Sequence, residues 1–68
     1  MTKTSLLEKY ITDSGYKRGY IAEQIGISRF SLAQKINNKS EFKANEIMAI
    51  CSLLGIDSEA RSVIFFAE

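Results

Sequence analysis

The chain has 68 residues, of which 46% are hydrophobic and 25% are charged, and its net charge is +1. This composition predicts one globular domain over residues 1–68 and excludes a disordered tail and a membrane span. Cys51 is the single cysteine and histidine is absent, which excludes an internal disulfide, a structural zinc site and a cysteine–histidine nucleophile. We therefore expect a cytoplasmic protein, with no metal, cofactor, membrane or small-molecule substrate.

Apolar residues at helical spacing, punctuated by glycines, predict an all-α chain. Five helices are predicted, over residues 5–14, 17–25, 29–37, 44–54 and 59–64. Gly15, Gly26 and Gly55 are placed to end the first, second and fourth helices, and Ser28 is placed to cap the third. Gly19, inside the second helix, is less favourable there than alanine by about 1 kcal/mol.

Positive charge is concentrated in the middle of the chain. Residues 17–43 contain six basic and two acidic residues, whereas the remainder contains three basic and six acidic residues. One face of the domain is therefore predicted to be cationic, although scattered solvated side chains would give the same count.

The segment 18–37 has the pattern of a helix-turn-helix. Ala22 is small where two helices would cross, Gly26 permits a positive φ in the turn, and Ile27 fills the corner. Ser28 then starts the next helix.

The third helix is predicted to have two faces. Leu32, Ala33 and Ile36 form the predicted inner face. The residues predicted to point away from the core are Arg29, Phe30, Gln34 and Lys35.

Two stretches carry a resemblance to a known family: Ile21-Ala22-x-x-Ile25-Gly26-Ile27-Ser28 and Leu32-Ala33-x-Lys35-Ile36-Asn37-Asn38-Lys39. They resemble the Cro and repressor type of temperate-phage helix-turn-helix domain. The resemblance implies a compact five-helix, lambda-repressor-like DNA-binding fold, with the motif in helices 2 and 3. It does not by itself establish function.

The same resemblance implies roles for individual residues. Arg29, Phe30 and Gln34 would read bases in the major groove, since arginine pairs with guanine and glutamine with adenine. The residues implied to contact phosphate are Arg18, Ser28, Ser31, Asn37, Asn38 and Lys39. Phe30 stands where a polar residue is usual, so three roles stay open for it: contact with a thymine methyl, core packing, or anchoring another protein.

Two functions follow as expectations. The first is a phage-type transcriptional regulator of a bacterial host cell that binds double-stranded operator DNA to control a lytic/lysogenic-type switch, with monomer and homodimer both left open. The alternative is an antirepressor or modulator that binds a partner phage repressor, with Phe30, Phe65 and Phe66 as candidate contacts. The apolar tail 63–67 is predicted to form either a dimer surface or part of the core. No pattern of acids or nucleophiles indicates an enzyme.

Overall fold

The computed structural model describes residues 1–66, which form five α-helices and a closing π-helical turn. The helices are α1 (Thr4–Ser14), α2 (Arg18–Ile25), α3 (Arg29–Ile36), α4 (Ala44–Leu54) and α5 (Ser58–Arg61), and the π-helical turn is Ser62–Phe66. Over residues 1–66 there is no β-strand, so the all-α prediction is confirmed. None of these helices is long and apolar enough to cross a membrane.

The first four helices begin and end within one residue of their predicted positions, and α4 matches at both ends. As predicted, α1, α2 and α4 each end at a glycine with positive φ. The predicted fifth helix differs, because the α-helical hydrogen-bonding pattern stops at Arg61 and widens into the π-helical turn. The wider turn carries the last apolar residues back onto the core.

The core is built from every helix except α5, together with the π-helical turn. Its largest fully buried side chains are Leu7, Ile21, Leu32, Ile36, Ile50 and Ile64. Ala22 is also buried, at 1% exposure, and its small size lets α2 pack closely against its neighbours, as the sequence predicts. Burial of this kind stabilises a domain by about 1.5–3 kcal/mol for each large aliphatic side chain.

The end of the chain divides between core and surface residue by residue. Phe65 is 7% exposed and packs edge-on against Phe42, with 5.4 Å between ring centroids. The structure thus places the Phe65 ring in the core, which leaves it little surface for the partner contact predicted for it. Val63 and Phe66 are exposed, and Ala67 lies outside the described residues.

Hydrogen bonds hold the N-terminal residues Lys3 and Thr4 beside the π-helical turn and the end of α3. The Lys3 amide donates to the Ile64 carbonyl at 2.7 Å, and the Thr4 hydroxyl donates to the Ile36 carbonyl at 2.6 Å. These bonds hold the chain entering α1 against both the π-helical turn and the last turn of α3.

Candidate nucleic-acid interface

A three-residue turn joins α2 to α3 and fixes where α3 begins. Gly26 has φ +83°, a left-handed conformation that costs other L-residues about 1–2 kcal/mol. The next amide, that of Ile27, donates to the Ala22 carbonyl at 3.0 Å. Ser28 then caps α3, its hydroxyl oxygen accepting from the Ser31 amide at 3.0 Å. The predicted roles of Gly26 and Ser28 in the turn are confirmed.

The outward face of α3 differs from the predicted one at two positions. Lys35 is buried with Leu32 and Ile36, whereas Ala33 is exposed. The prediction that Ala33 faces inward and Lys35 outward is therefore wrong. The reason is that the inner face of α3 meets a carboxylate on α4, and a lysine reaches it while an alanine does not.

The three predicted base-reading residues and Asn37 lie on the open side of α3 or at its C-terminal end. Arg29, Phe30 and Asn37 are exposed, and Gln34 is half-buried. Phe30 is 74% exposed, which excludes the core role left open by the sequence. With Ala33, these residues form the outward face of α3, defined here as Arg29, Phe30, Ala33, Gln34 and Asn37.

The buried carboxylate is that of Glu46, which pairs with Lys35. Glu46 Oε1 accepts from the Lys35 ammonium and from the Lys43 amide at 2.9 Å. Burial alone would raise the pKa of Glu46, but the hydrogen bonds from Lys35 and Lys43, with their positive charges, lower it below its ordinary value. Glu46 therefore stays ionised and ties α3 to the start of α4.

Asn38 lies two residues beyond α3, and its side chain is hydrogen-bonded to Thr2. It has φ +63°, a left-handed conformation that asparagine adopts more readily than most other non-glycine residues. Its Oδ1 accepts from the Thr2 amide at 2.8 Å, and its Nδ2 donates to the Thr2 carbonyl at 3.0 Å. A phosphate contact through this side chain would have to replace those bonds, whereas Asn37 and Lys39 are exposed.

Arg18, at the start of α2, is held toward α1. Its guanidinium Nη2 lies 2.6 Å from Glu8 Oε1, in a pair whose side chains are 46% and 38% exposed. An exposed pair of this kind contributes about 0–1 kcal/mol, so a phosphate can compete for the guanidinium. The neighbouring Lys17 is exposed and forms no salt bridge within residues 1–66.

The central segment stays cationic at its surface. Lys17, Arg18, Arg29, Lys39 and Lys43 are exposed, against two exposed carboxylates, those of Glu23 and Glu41. The excess of three positive charges supports the predicted cationic face. The sixth basic residue, Lys35, does not add to this face, because it is buried in an ion pair with Glu46.

A comparison with protein families decides where the chain is classified. A family described as "Protein of unknown function (DUF739)" matches residues 3–68. The chain belongs to the DUF739 family. Neither the curated proteins nor the solved structures contain a match to it.

Sequence reasoning missed two features of the surface of this DUF739 chain. Tyr16 and Tyr20 are both exposed, and their rings pair with 5.0 Å between centroids. Their four-residue spacing was the available signal, since it places two aromatic rings on one side of a helix start. The second feature is the close approach of Arg29 to Gly19, which no spacing in the sequence indicates.

The described residues of the DUF739 chain offer few other metal-binding or nucleophilic groups. No group of three or more potential metal ligands occurs in residues 1–66. The Cys51 thiol is buried, and burial raises its pKa although the nearby Arg61 charge opposes the shift. A thiol with a raised pKa is a poor nucleophile at neutral pH, so Cys51 belongs with the core.

Proposed function

We propose that this DUF739 protein is a sequence-specific DNA-binding transcription regulator of the Cro and repressor type, acting in a lytic/lysogenic-type switch. The observation that carries the proposal is the outward face of α3, which follows a capped helix start and lies opposite an anchored inner face. Arg29 and Gln34 supply hydrogen bonds for base edges, while Phe30 and Ala33 supply apolar contacts suited to thymine methyl groups.

The surrounding residues supply the sequence-independent part of binding. Lys17, Arg18 and Lys39 are exposed cations near the two ends of the helix pair, where the DNA backbone would pass. Ser28 and Ser31 lie at the N-terminus of α3, whose free amides and dipole favour phosphate.

Two copies are required for a palindromic operator. The longest Cα extent of the molecule is 27 Å, whereas successive major grooves on one face of DNA are ~34 Å apart. A single molecule therefore cannot place α3 in both grooves. We propose that the regulator binds as a homodimer.

The direct experiment is selection of a bound sequence from a random duplex library, followed by fluorescence anisotropy at two salt concentrations. With about six phosphate contacts, three from each copy, affinity should fall roughly 10³-fold between 50 and 200 mM salt. Failure to enrich any sequence, together with salt-independent binding, would contradict the proposal.

Ser28→Asp separates DNA binding from stability. Aspartate caps a helix as well as serine does, so we expect thermal unfolding to be unchanged. Because the new carboxylate lies beside the proposed phosphate path, affinity for the selected duplex should fall by about tenfold or more.

Ser28→Ala is the matched control, since it adds no charge. It should lower the free energy of unfolding by about 1 kcal/mol and weaken binding less than Ser28→Asp. Equal affinity of Ser28→Asp and wild type would place DNA elsewhere on the molecule.

The large exposure of Phe30 favours a second candidate, a modulator that binds a partner repressor. An aromatic ring surrounded by polar surface is typical of the residues that dominate protein–protein binding. On this alternative, α3 would cover the DNA-reading surface of the repressor or join it in one complex on the operator.

Phe30→Ala tests this alternative by co-purification with a repressor from the same switch. If Phe30 is the anchor, complex formation should fall by about 30-fold or more, the loss expected for a hot-spot residue. Met48→Ala is the control, because Met48 is also an exposed apolar side chain, at 63%, but lies on α4. Equal losses from both variants, or no loss from Phe30→Ala, would exclude α3 as the contact.

A further inference from the structure

Gly19 is a glycine in the first turn of α2 without a backbone reason to be one. Its φ is not among the positive values of the chain, so any L-residue could adopt its conformation. Glycine is nevertheless a poorer helix former than alanine. The residue type at this position therefore needs an explanation from its surroundings.

The side chain of Arg29 lies across the bare backbone of Gly19. A Cβ atom at position 19 would stand 3.2 Å from Arg29 Cδ, 3.6 Å from Cγ and 3.7 Å from Nε. The first distance is tighter than an ordinary carbon–carbon contact of 3.5–4.0 Å. A side chain at position 19 would therefore push the arginine stem away from α2.

This contact determines the direction of a residue on the outward face of α3. Arg29 is the first residue of α3, and no salt bridge within residues 1–66 holds its guanidinium. Packing of the stem on Gly19 therefore restricts a long side chain that would otherwise sample many rotamers.

We propose that Gly19 is a positioning residue that seats Arg29 in the direction needed to read a base. This inference rests on the proposed function, since the orientation matters only if Arg29 meets DNA. Restricting the side chain before binding reduces the entropy lost when the guanidinium is fixed against a base edge. Gly19 thus lowers the stability of α2 but strengthens the recognition of a base by Arg29.

Gly19→Ala should change stability and binding in opposite directions. Alanine favours the helix and the exposed Arg29 stem can move aside, so the Tm should rise by a few degrees. Displacement of Arg29 should weaken binding to the selected duplex by roughly three- to tenfold. Affinity for a scrambled duplex should stay the same, because non-specific binding depends on phosphate contacts.

Two further variants isolate the positioning effect. In an Arg29→Ala background, Gly19→Ala should no longer change affinity, as a double-mutant cycle requires of two coupled residues. Ser52→Ala, at an exposed position of α4, should raise helix propensity without changing affinity. It shows whether a gain in stability by itself alters binding.

A measurement without DNA distinguishes this inference from the proposed function. The order parameter of the Arg29 Nε–H bond, from NMR relaxation, should be higher in wild type than in Gly19→Ala. Equal order parameters, or an equal loss of affinity with and without Arg29, would overturn the role of Gly19 while leaving DNA binding intact. If the wild type enriches no sequence, the proposed function fails, and base positioning fails with it even if the order parameters differ.

Discussion

Glu46→Leu is expected to lower the free energy of unfolding by about 3–5 kcal/mol, the loss typical when one member of a buried ion pair is removed. The variant leaves the Lys35 ammonium in the core without a counter-charge, since the side chains of this pair are 9% and 6% exposed. It also removes the acceptor of the Lys43 amide. The total stability of a domain this size is about 3–10 kcal/mol, so Glu46→Leu should be largely unfolded or close to it. Urea denaturation followed by circular dichroism measures the change.

The double variant Lys35→Met/Glu46→Leu is the matched control. Replacing both charges with apolar side chains of similar size is often neutral or stabilising, so most of the lost stability should return. A deficit of about 1 kcal/mol should remain, because the first turn of α4 still lacks its Glu46 acceptor. If the double variant is no more stable than Glu46→Leu, the ion pair is not the cause of the loss.

The same pair predicts how stability depends on pH. The folded-state pKa of Glu46 lies below its ordinary value of 4.5, so the ionised carboxylate favours the folded state. Its contribution is fully present above the unfolded-state pKa and is lost as pH falls from there through the folded-state pKa. As the pH falls below about 5, wild type should therefore lose more stability than Lys35→Met/Glu46→Leu.

Local signals were sufficient to predict most of the fold. Ser28 and Gly26 act through bonds and dihedral angles within a few residues, so their roles could be derived from neighbours in the sequence. The same holds for the start and end of α4. The closing π-helical turn could not be predicted, because it depends on how Ile64 and Phe65 reach a core assembled from distant helices.

The candidate site was predicted less well, for a related reason. Around the axis of α3, Lys35 and Ala33 lie at similar angles from the buried residues Leu32 and Ile36, so periodicity does not distinguish them. Polarity then favours an exposed lysine and a buried alanine. The buried position of Lys35 follows only from Glu46, eleven residues away. The engagement of Asn38 by Thr2, across 36 residues, and the packing of Arg29 on Gly19 are likewise tertiary contacts.

Arg29→Ala carries the largest expected effect on DNA recognition. A bidentate arginine–guanine contact discriminates by about 1–3 kcal/mol, so affinity for the selected duplex should fall roughly 10- to 100-fold for each half-site. Arg29 is exposed and lies outside the core, so the free energy of unfolding should change by less than about 0.5 kcal/mol. Anisotropy titration and urea denaturation of the same preparation measure both quantities.

The pattern of the loss distinguishes base reading from simple attraction of charge. If Arg29 reads a base, the variant should become tolerant of substitutions at one base pair in each half-site and keep nearly the same salt dependence. Loss of a phosphate contact would instead weaken binding to all sequences equally and reduce the salt slope by about one for each copy. Lys9→Ala is the control, since Lys9 is an exposed cation on α1 paired with Asp13 at 3.7 Å. Matching behaviour of Arg29→Ala and Lys9→Ala would remove Arg29 from the reading surface, and the outward face of α3 would then have to act through Phe30.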